Sequence, residues 1–230
     1  MFIAIDGASR RNGKPDCLAS GGAFVAEATK DGKVRYEALS VVEEESTNQR
    51  GEMLALILAL RRFSTSNDDT CFILTDSEYI FNAMNNNWIG RWRRNNYKTA
   101  EGNPVKNRDL WETVDELMHE DIYGIIHKEV LMYHIKGHCV GLGPKTARKI
   151  YDEDNTCEKL FHAFEDRFEE RLRTLESDDV TFEVVQELSK KNNGFTLTPY
   201  NMKTFICYNA VADTIATIKV EDANKAFLGK

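Results

Sequence analysis

No stretch of this 230-residue chain approaches the roughly 20 consecutive apolar residues that would cross a bilayer. The first residues also lack the basic-then-apolar order of a signal peptide, because Asp6 arrives after five residues. A soluble, cytoplasmic protein with no membrane partner is expected. Cysteine is sparse and unpatterned: Cys17, Cys71, Cys139, Cys157 and Cys207 are odd in number, scattered, and form no C-x-x-C pair. That argues against both a disulfide framework and a structural zinc site, leaving reduced and mostly buried thiols. Only four prolines interrupt the chain, and no repeat or low-complexity tract is evident. Hydrophobic residues make up 42%, enough for a sizeable core, and the length fits one α/β domain with an insertion.

Positive charge is scarce as well, with a net charge of −7, which looks wrong for a partner of nucleic acid. Its distribution changes that. Residues 88–108, WIGRWRRNNYKTAEGNPVKNR, hold six Lys/Arg against the single acid Glu101, so the segment is +5 and the remainder −7 − 5 = −12. Whole-chain charge governs solubility and steering, whereas a local basic tongue can still hold phosphates.

Periodicity supplies the elements. MFIAIDGA reads as a buried strand ending in an acid and a glycine, and residues 21–29 and 33–44 read as strands around a DGK turn. STNQRGEMLALILALRRF (46–63) reads as a helix opened by Ser/Thr/Asn capping chemistry, and CFILTD (71–76) as another buried strand ending in an acid. SEYIFNAMNN looks helical, and NRDLWETVDELMHE spaces its apolar residues at helical intervals. Residues 127–138 form a strand running into a loop, and a last helix is expected over 207–218. Strands alternating with helices imply an α/β sheet, made mixed by the 21–44 hairpin.

Three acids sit where packing alone would not place them. Asp6 and Asp76 end apolar strands, the position that lines the functional crevice of open α/β sheets. Glu52 precedes eight apolar residues, Met53–Leu60, on a helix that must be largely buried. A charge there needs a partner or a metal. Taken singly, each could be a cap or turn residue.

Together, these pieces resemble the type 1 ribonuclease H family. The matching segments are IDGAS with Asp6, STNQRGEMLALILAL with Glu52, LTDSEYI with Asp76 and NAVADTIA with Asp213, in the family's order. WIGRWRRNNYKTAEGNPVKNRDLW (88–111) is similar to the substrate-binding handle of the bacterial-type enzymes, and YHIKGH to the strand and loop carrying their catalytic histidine, here His138. The resemblance covers about residues 1–140 and 207–218. It implies a ribonuclease H-like fold, a five-stranded mixed sheet flanked by helices. It further implies an endonuclease that cuts the RNA strand of RNA–DNA hybrids, leaving 5′-phosphate and 3′-hydroxyl ends.

The implied cofactor is a pair of Mg²⁺ ions, with Mn²⁺ an alternative, held by Asp6, Glu52, Asp76 and Asp213. Two such ions about 4 Å apart activate water and stabilise the leaving oxygen, and hard cations prefer carboxylate oxygens. His138 would shuttle a proton, work suited to imidazole near neutral pH, with Gly137 permitting mobility. By the same resemblance Ser9, Asn12, Asn48 and Gln49 contact the hybrid near its minor groove. Trp88, Trp92, Arg93, Arg94, Tyr97 and Lys98 would form the DNA-strand side, with the tryptophans partly core. A monomer is expected.

The sequence departs from the family in three places. Glu78 stands where many relatives carry glutamine, and GKPDCLASGG replaces the usual first turn. The third departure is about 65 extra residues between His138 and Asp213. Domains of 1–140 with 207–230 (catalytic) and 141–206 (helical insertion) follow. Helical spacing within the insertion runs through Leu160, Phe161, Phe164, Phe168, Leu172 and Leu175, and a small lobe over the active-site edge is expected. VGLGPKTARKIY (140–151) resembles the hairpin of helix-hairpin-helix motifs, so contact with duplex DNA through 141–151 is one reading and an ordinary loop the other. Two further functions stay open: a junction or flap DNA nuclease on the same fold, and a non-catalytic nucleic-acid-binding module.

Overall fold

The computed structural model describes residues 1–14, 16–122, 128–174 and 199–229, without the side chains of 120–122, 171–174, 199 and 200. Five apolar runs form its sheet: β1 (Phe2–Arg10), β2 (Leu18–Ala28), β3 (Val34–Glu44), β4 (Thr70–Thr75) and β5 (Glu129–His134). Their order is β3-β2-β1-β4-β5. The first three are antiparallel, as short turns allow, while β4 and β5 add parallel to β1 across helical connections.

Alternation along β1 sends successive side chains to opposite faces. Ile3 and Ile5 join Met53, Leu56, Leu60 and Phe63 of α1 (Asn48–Ser64), with Trp111 and Val114 of α4 (Arg108–Glu116). Two short helices, α2 (Glu78–Asn85) and α3 (Trp88–Arg94), lie on this side, and a π-helical turn, Leu117–Ile122, continues α4. Ala4, Phe24 and Leu74 face the other way. There they meet Leu160, Phe161 and Phe164 of α6 (Glu158–Thr174) and Val211, Ala212 and Ile215 of the last helix, α7 (Pro199–Leu228). In chain order α5 (Pro144–Glu153) links β5 to α6 and begins with proline at its first turn.

Adjacent glycines of β2 let both helical layers touch the sheet backbone. A Cβ on Gly21 would lie 2.6 Å from the Ala55 nitrogen of α1, and one on Gly22 would lie 2.5 Å from the Ala212 oxygen of α7. Gly22 pairs directly with Asp6, so the two acid-bearing helices are drawn in beside that strand position.

Three elements differ from the sequence expectation. Asp6 lies in the middle of β1 rather than at its end, because β2 stays paired with β1 as far as Arg10. The last helix is longer than 207–218: Met202, Phe205 and Ile206 bury against the sheet, and Arg10 and Arg148 pair with Glu221 and Asp222 at its far end. Leu160, Phe161 and Phe164 share the sheet's own core, packing over β2 and β3. The side chain of Leu172 and all of Leu175 lie outside the described residues.

Candidate active site

Each acid reaches the same corner from a different element. Asp6 comes from β1, Glu52 from the second turn of α1, Asp76 from the residue after β4, and Asp213 from the middle of α7. Asp6 is 7% exposed; its Oδ1 accepts from the Gly7 N–H at 2.7 Å, while buried Oδ2 has no hydrogen-bond partner among the described residues. Its carboxyl is held well above the ordinary carboxylate range, first by burial, then by the charges of Asp76 and Asp213, with Glu52 adding to them.

The other three are raised too, and burial is the largest cause for each. For Glu52, Asp76 adds to burial, while hydrogen bonds from the Ser77 hydroxyl to Oε2 (2.6 Å) and the Asn48 amide to Oε1 (3.1 Å) oppose it. Burial raises Asp76, and the nearby imidazoles of His138 and His134 oppose the shift. Asp213 is raised by burial and by Asp76 and lowered by His138, whose Nδ1 sits 3.7 Å from its Oδ2.

Four hard-oxygen donors, one with an unpartnered buried oxygen, suit a hard divalent cation in kind. Among the described residues, no three Asp, Glu, His or Cys side chains yet converge on one point as a bound ion would require. What joins the quartet is electrostatic: Asp6 feels all three of the others.

The backbone of the His138 loop is unusual at the histidine itself. Gly137 has no left-handed backbone; His138 does, with φ of 55°. A Cβ on Gly137 would fall inside the Asp76 carboxylate, so this glycine provides room for close approach. The His138 side chain is 76% exposed at the rim of the site.

The substrate-side candidates divide into two groups. Ser9 lies at the end of β1, and Asn12 is exposed in the turn beyond it. Asn48 is engaged with Glu52, and the Gln49 carbonyl accepts from Asn107 at 3.3 Å. In the basic segment, Trp88 and Trp92 are half-buried, as the sequence suggests. They form a chain of rings from Tyr79 through Trp88 and Trp92 to Trp111, with centroids 6.4, 5.8 and 5.4 Å apart. Arg93 Nε donates to Asp115 at 2.7 Å, and the buried Tyr97 hydroxyl donates to the same carboxylate at 2.6 Å. Tyr97 therefore holds the handle's shape from within, and Arg93, an exposed side chain, ties the surface to the same acid. Arg94 and Lys98 are exposed, and a cleft of about 510 Å³ runs past Trp88, Arg91, Trp92 and Lys98.

Sequence reasoning passed over Ser77 and Asp115. Ser77 follows Asp76 directly, and a hydroxyl beside a strand-end acid is a usable signal. Asp115, buried inside an amphipathic helix, was detectable as a charge on its apolar face.

A mixed five-stranded sheet of this order, with four acids near one corner and a basic handle on one flank, is a ribonuclease H-like fold. The family model described as RNase H matches residues 1–150. The Ribonuclease H of Clostridium botulinum is 30% identical over 172 residues, covering 73% of this chain and 97% of that protein. The Ribonuclease H of Cereibacter sphaeroides is 36% identical over 140 residues, 60% of this chain and 83% of the relative. A solved structure of LC9-RNase H1 has a TM-score of 0.49 and 20% identity, covering 65% of this chain and 67% of that one. The chain belongs to the ribonuclease H family. The family match stops at residue 150, short of Asp213; the fold brings that residue back to the other three acids.

Proposed function

We infer that this ribonuclease H hydrolyses the RNA strand of RNA–DNA hybrids, with Asp6, Glu52, Asp76 and Asp213 holding two Mg²⁺ or Mn²⁺ ions. The observation that carries this is the Asp6 carboxyl, raised first by burial and then by the other three acids, with one oxygen that has no hydrogen-bond partner among the described residues. The family is divalent-metal dependent, and such ions, when bound, neutralise the phosphodiester and lower the pKa of water. The protein's share is orientation. Ser77 and Asn48 fix the two oxygens of Glu52, and the Gly7 N–H fixes one oxygen of Asp6.

His138, exposed at the rim and beside Asp213, can take or give a proton at Nδ1 or Nε2 as the bond breaks. Ser9, Asn12, Asn48 and Gln49 offer the donors and acceptors that a 2′-hydroxyl demands. On the other flank Arg94 and Lys98 contact phosphates, and Trp88 and Trp92 offer ring faces to sugars, while Arg93 and Tyr97 keep that surface in shape.

Matched RNA–DNA, RNA–RNA, DNA–DNA and branched DNA substrates, each with and without Mg²⁺, test the reading. Cleavage confined to the RNA of the hybrid, and only with the metal, is expected. An intact hybrid in the presence of Mg²⁺, or preferential cutting of branched DNA, overturns it.

A further inference from the structure

We propose that α5 carries a second phosphate-contacting surface, formed by Lys145 and Lys149, on the opposite flank of the carboxylate site from the handle. This rests on the hybrid-cleaving reading and extends it to two residues to which the resemblance gives no role.

The helix is fixed on three sides. Ala147 is buried, and Ile150 and Tyr151 pack against the core shared by α6 and α7. Arg148 Nη1 bonds Asp222 of α7 at 2.5 Å, and Lys219 of α7 lies over the Tyr151 ring at 5.6 Å. These contacts leave one stripe of α5 turned outward. Lys145 and Lys149 are one turn apart on it, both exposed, and neither forms an ion pair with a described residue. Arg148, the other cation of this helix, is taken up by Asp152 and Asp222.

Two chain measurements place this stripe near the chemistry. Asp222, gripped by α5, stands nine residues along α7 from Asp213, about 14 Å at 1.5 Å per residue. His138, at the rim, is five residues from Gly143 at the start of α5, at most about 18 Å of chain. The handle projects from the α1 layer and α5 lies in the α7 layer, so the two cationic surfaces flank the acids from opposite faces of the sheet. A polyanion crossing the site from the handle meets Lys145 and Lys149 next. In a chain of net charge −7, two free lysines on a rigidly held helix are the complement such a backbone finds there.

The test is the salt dependence of KM for a hybrid long enough to span both flanks, compared between wild type and K145Q/K149Q. The control is K30Q/K33Q, which makes the same change of net charge at the β2–β3 turn. That turn lies at least six residues, about 20 Å, beyond Gly22, the strand partner of Asp6. With K145Q/K149Q the slope of log KM against log salt should lessen by about 1 per lysine, with kcat at saturation unchanged. The control should keep the wild-type slope. An unchanged slope in K145Q/K149Q, or an equal change in the control, overturns the proposal. If K145Q/K149Q melts early, the single variants K145Q and K149Q are compared in its place. Wild type that leaves the hybrid uncut with Mg²⁺ would instead defeat the parent reading.

Discussion

Asp6 holds its carboxylate against the field of three other acids, and Ser77 and Asn48 keep Glu52 pointed toward the same corner. Crowded like charges oppose folding, and a cation bound to the folded state alone reverses that opposition. Mg²⁺ at about 100 times its Kd should therefore stabilise the wild type by about 2.7 kcal/mol. Asp6→Asn/Asp76→Asn should start more stable in chelator and gain far less from the metal. Thermal melts of both proteins with and without Mg²⁺ decide the matter, and equal shifts would count against a shared metal site. His138 makes a different prediction because it is exposed, with its Nδ1 beside Asp213 and its imidazole near Asp76 as well. His138→Ala should lower kcat by about a hundredfold, within the range for a lost general acid or base, while KM for the hybrid stays near wild type. Unchanged turnover in single-turnover kinetics would remove the proton-shuttle role.

The helix that presents Glu52 is capped at both ends by side chains. Thr47 accepts from the Arg50 N–H at 3.4 Å at its start. At its end the buried Lys128 ammonium donates to the carbonyls of Phe63 (2.8 Å), Ser64 (3.3 Å) and Ser66 (2.6 Å), and lies 4.7 Å from the Phe63 ring centroid. A buried cation at the negative end of the helix dipole, shared among three carbonyl oxygens, contributes far more than a surface charge. Lys128→Met should cost about 2–3 kcal/mol in urea unfolding, with hybrid cleavage per folded molecule little changed. A loss below about 0.5 kcal/mol would mean the cap is idle. The Thr47 cap was legible in the sequence, since capping chemistry is local. Lys128 was not, because its partners lie 62 to 65 residues away and only β5 brings it to them. Asp6, Glu52 and Asp76 were legible for the opposite reason: each ends or borders an apolar run, where a charge stands out, whereas Asp213 was legible only through the resemblance of NAVADTIA to the family. Arg93 and Tyr97 read as substrate contacts because Asp115, which engages both, is 22 and 18 residues downstream, respectively, on another helix.

At the scale of the molecule, the question is whether residues 141–206 form a unit apart from the sheet that bears the acids. Composition and resemblance suggested that division, and chain order alone could not reveal a shared core. In the fold, Phe161 is 4% exposed, with ring centroids 5.0 Å from Tyr208, 5.4 Å from Tyr36 and 6.2 Å from Phe24. Two of those rings belong to the sheet and one to the helix that presents Asp213. Truncating a buried phenylalanine costs about 3–5 kcal/mol, a large part of the 5–15 kcal/mol that holds a typical domain folded. With one core, Phe161→Ala should lower the midpoint of a single cooperative transition, and tryptophan fluorescence from Trp88, Trp92 and Trp111 should shift together with far-UV circular dichroism. With a separate lobe, the tryptophans, all in the opposite helical layer, would keep their wild-type midpoint while part of the helical signal melted early. Coincident transitions are expected because the rings around Phe161 tie α6 to the strands and to α7, so this part of the insertion cannot loosen without releasing the sheet that positions the acids.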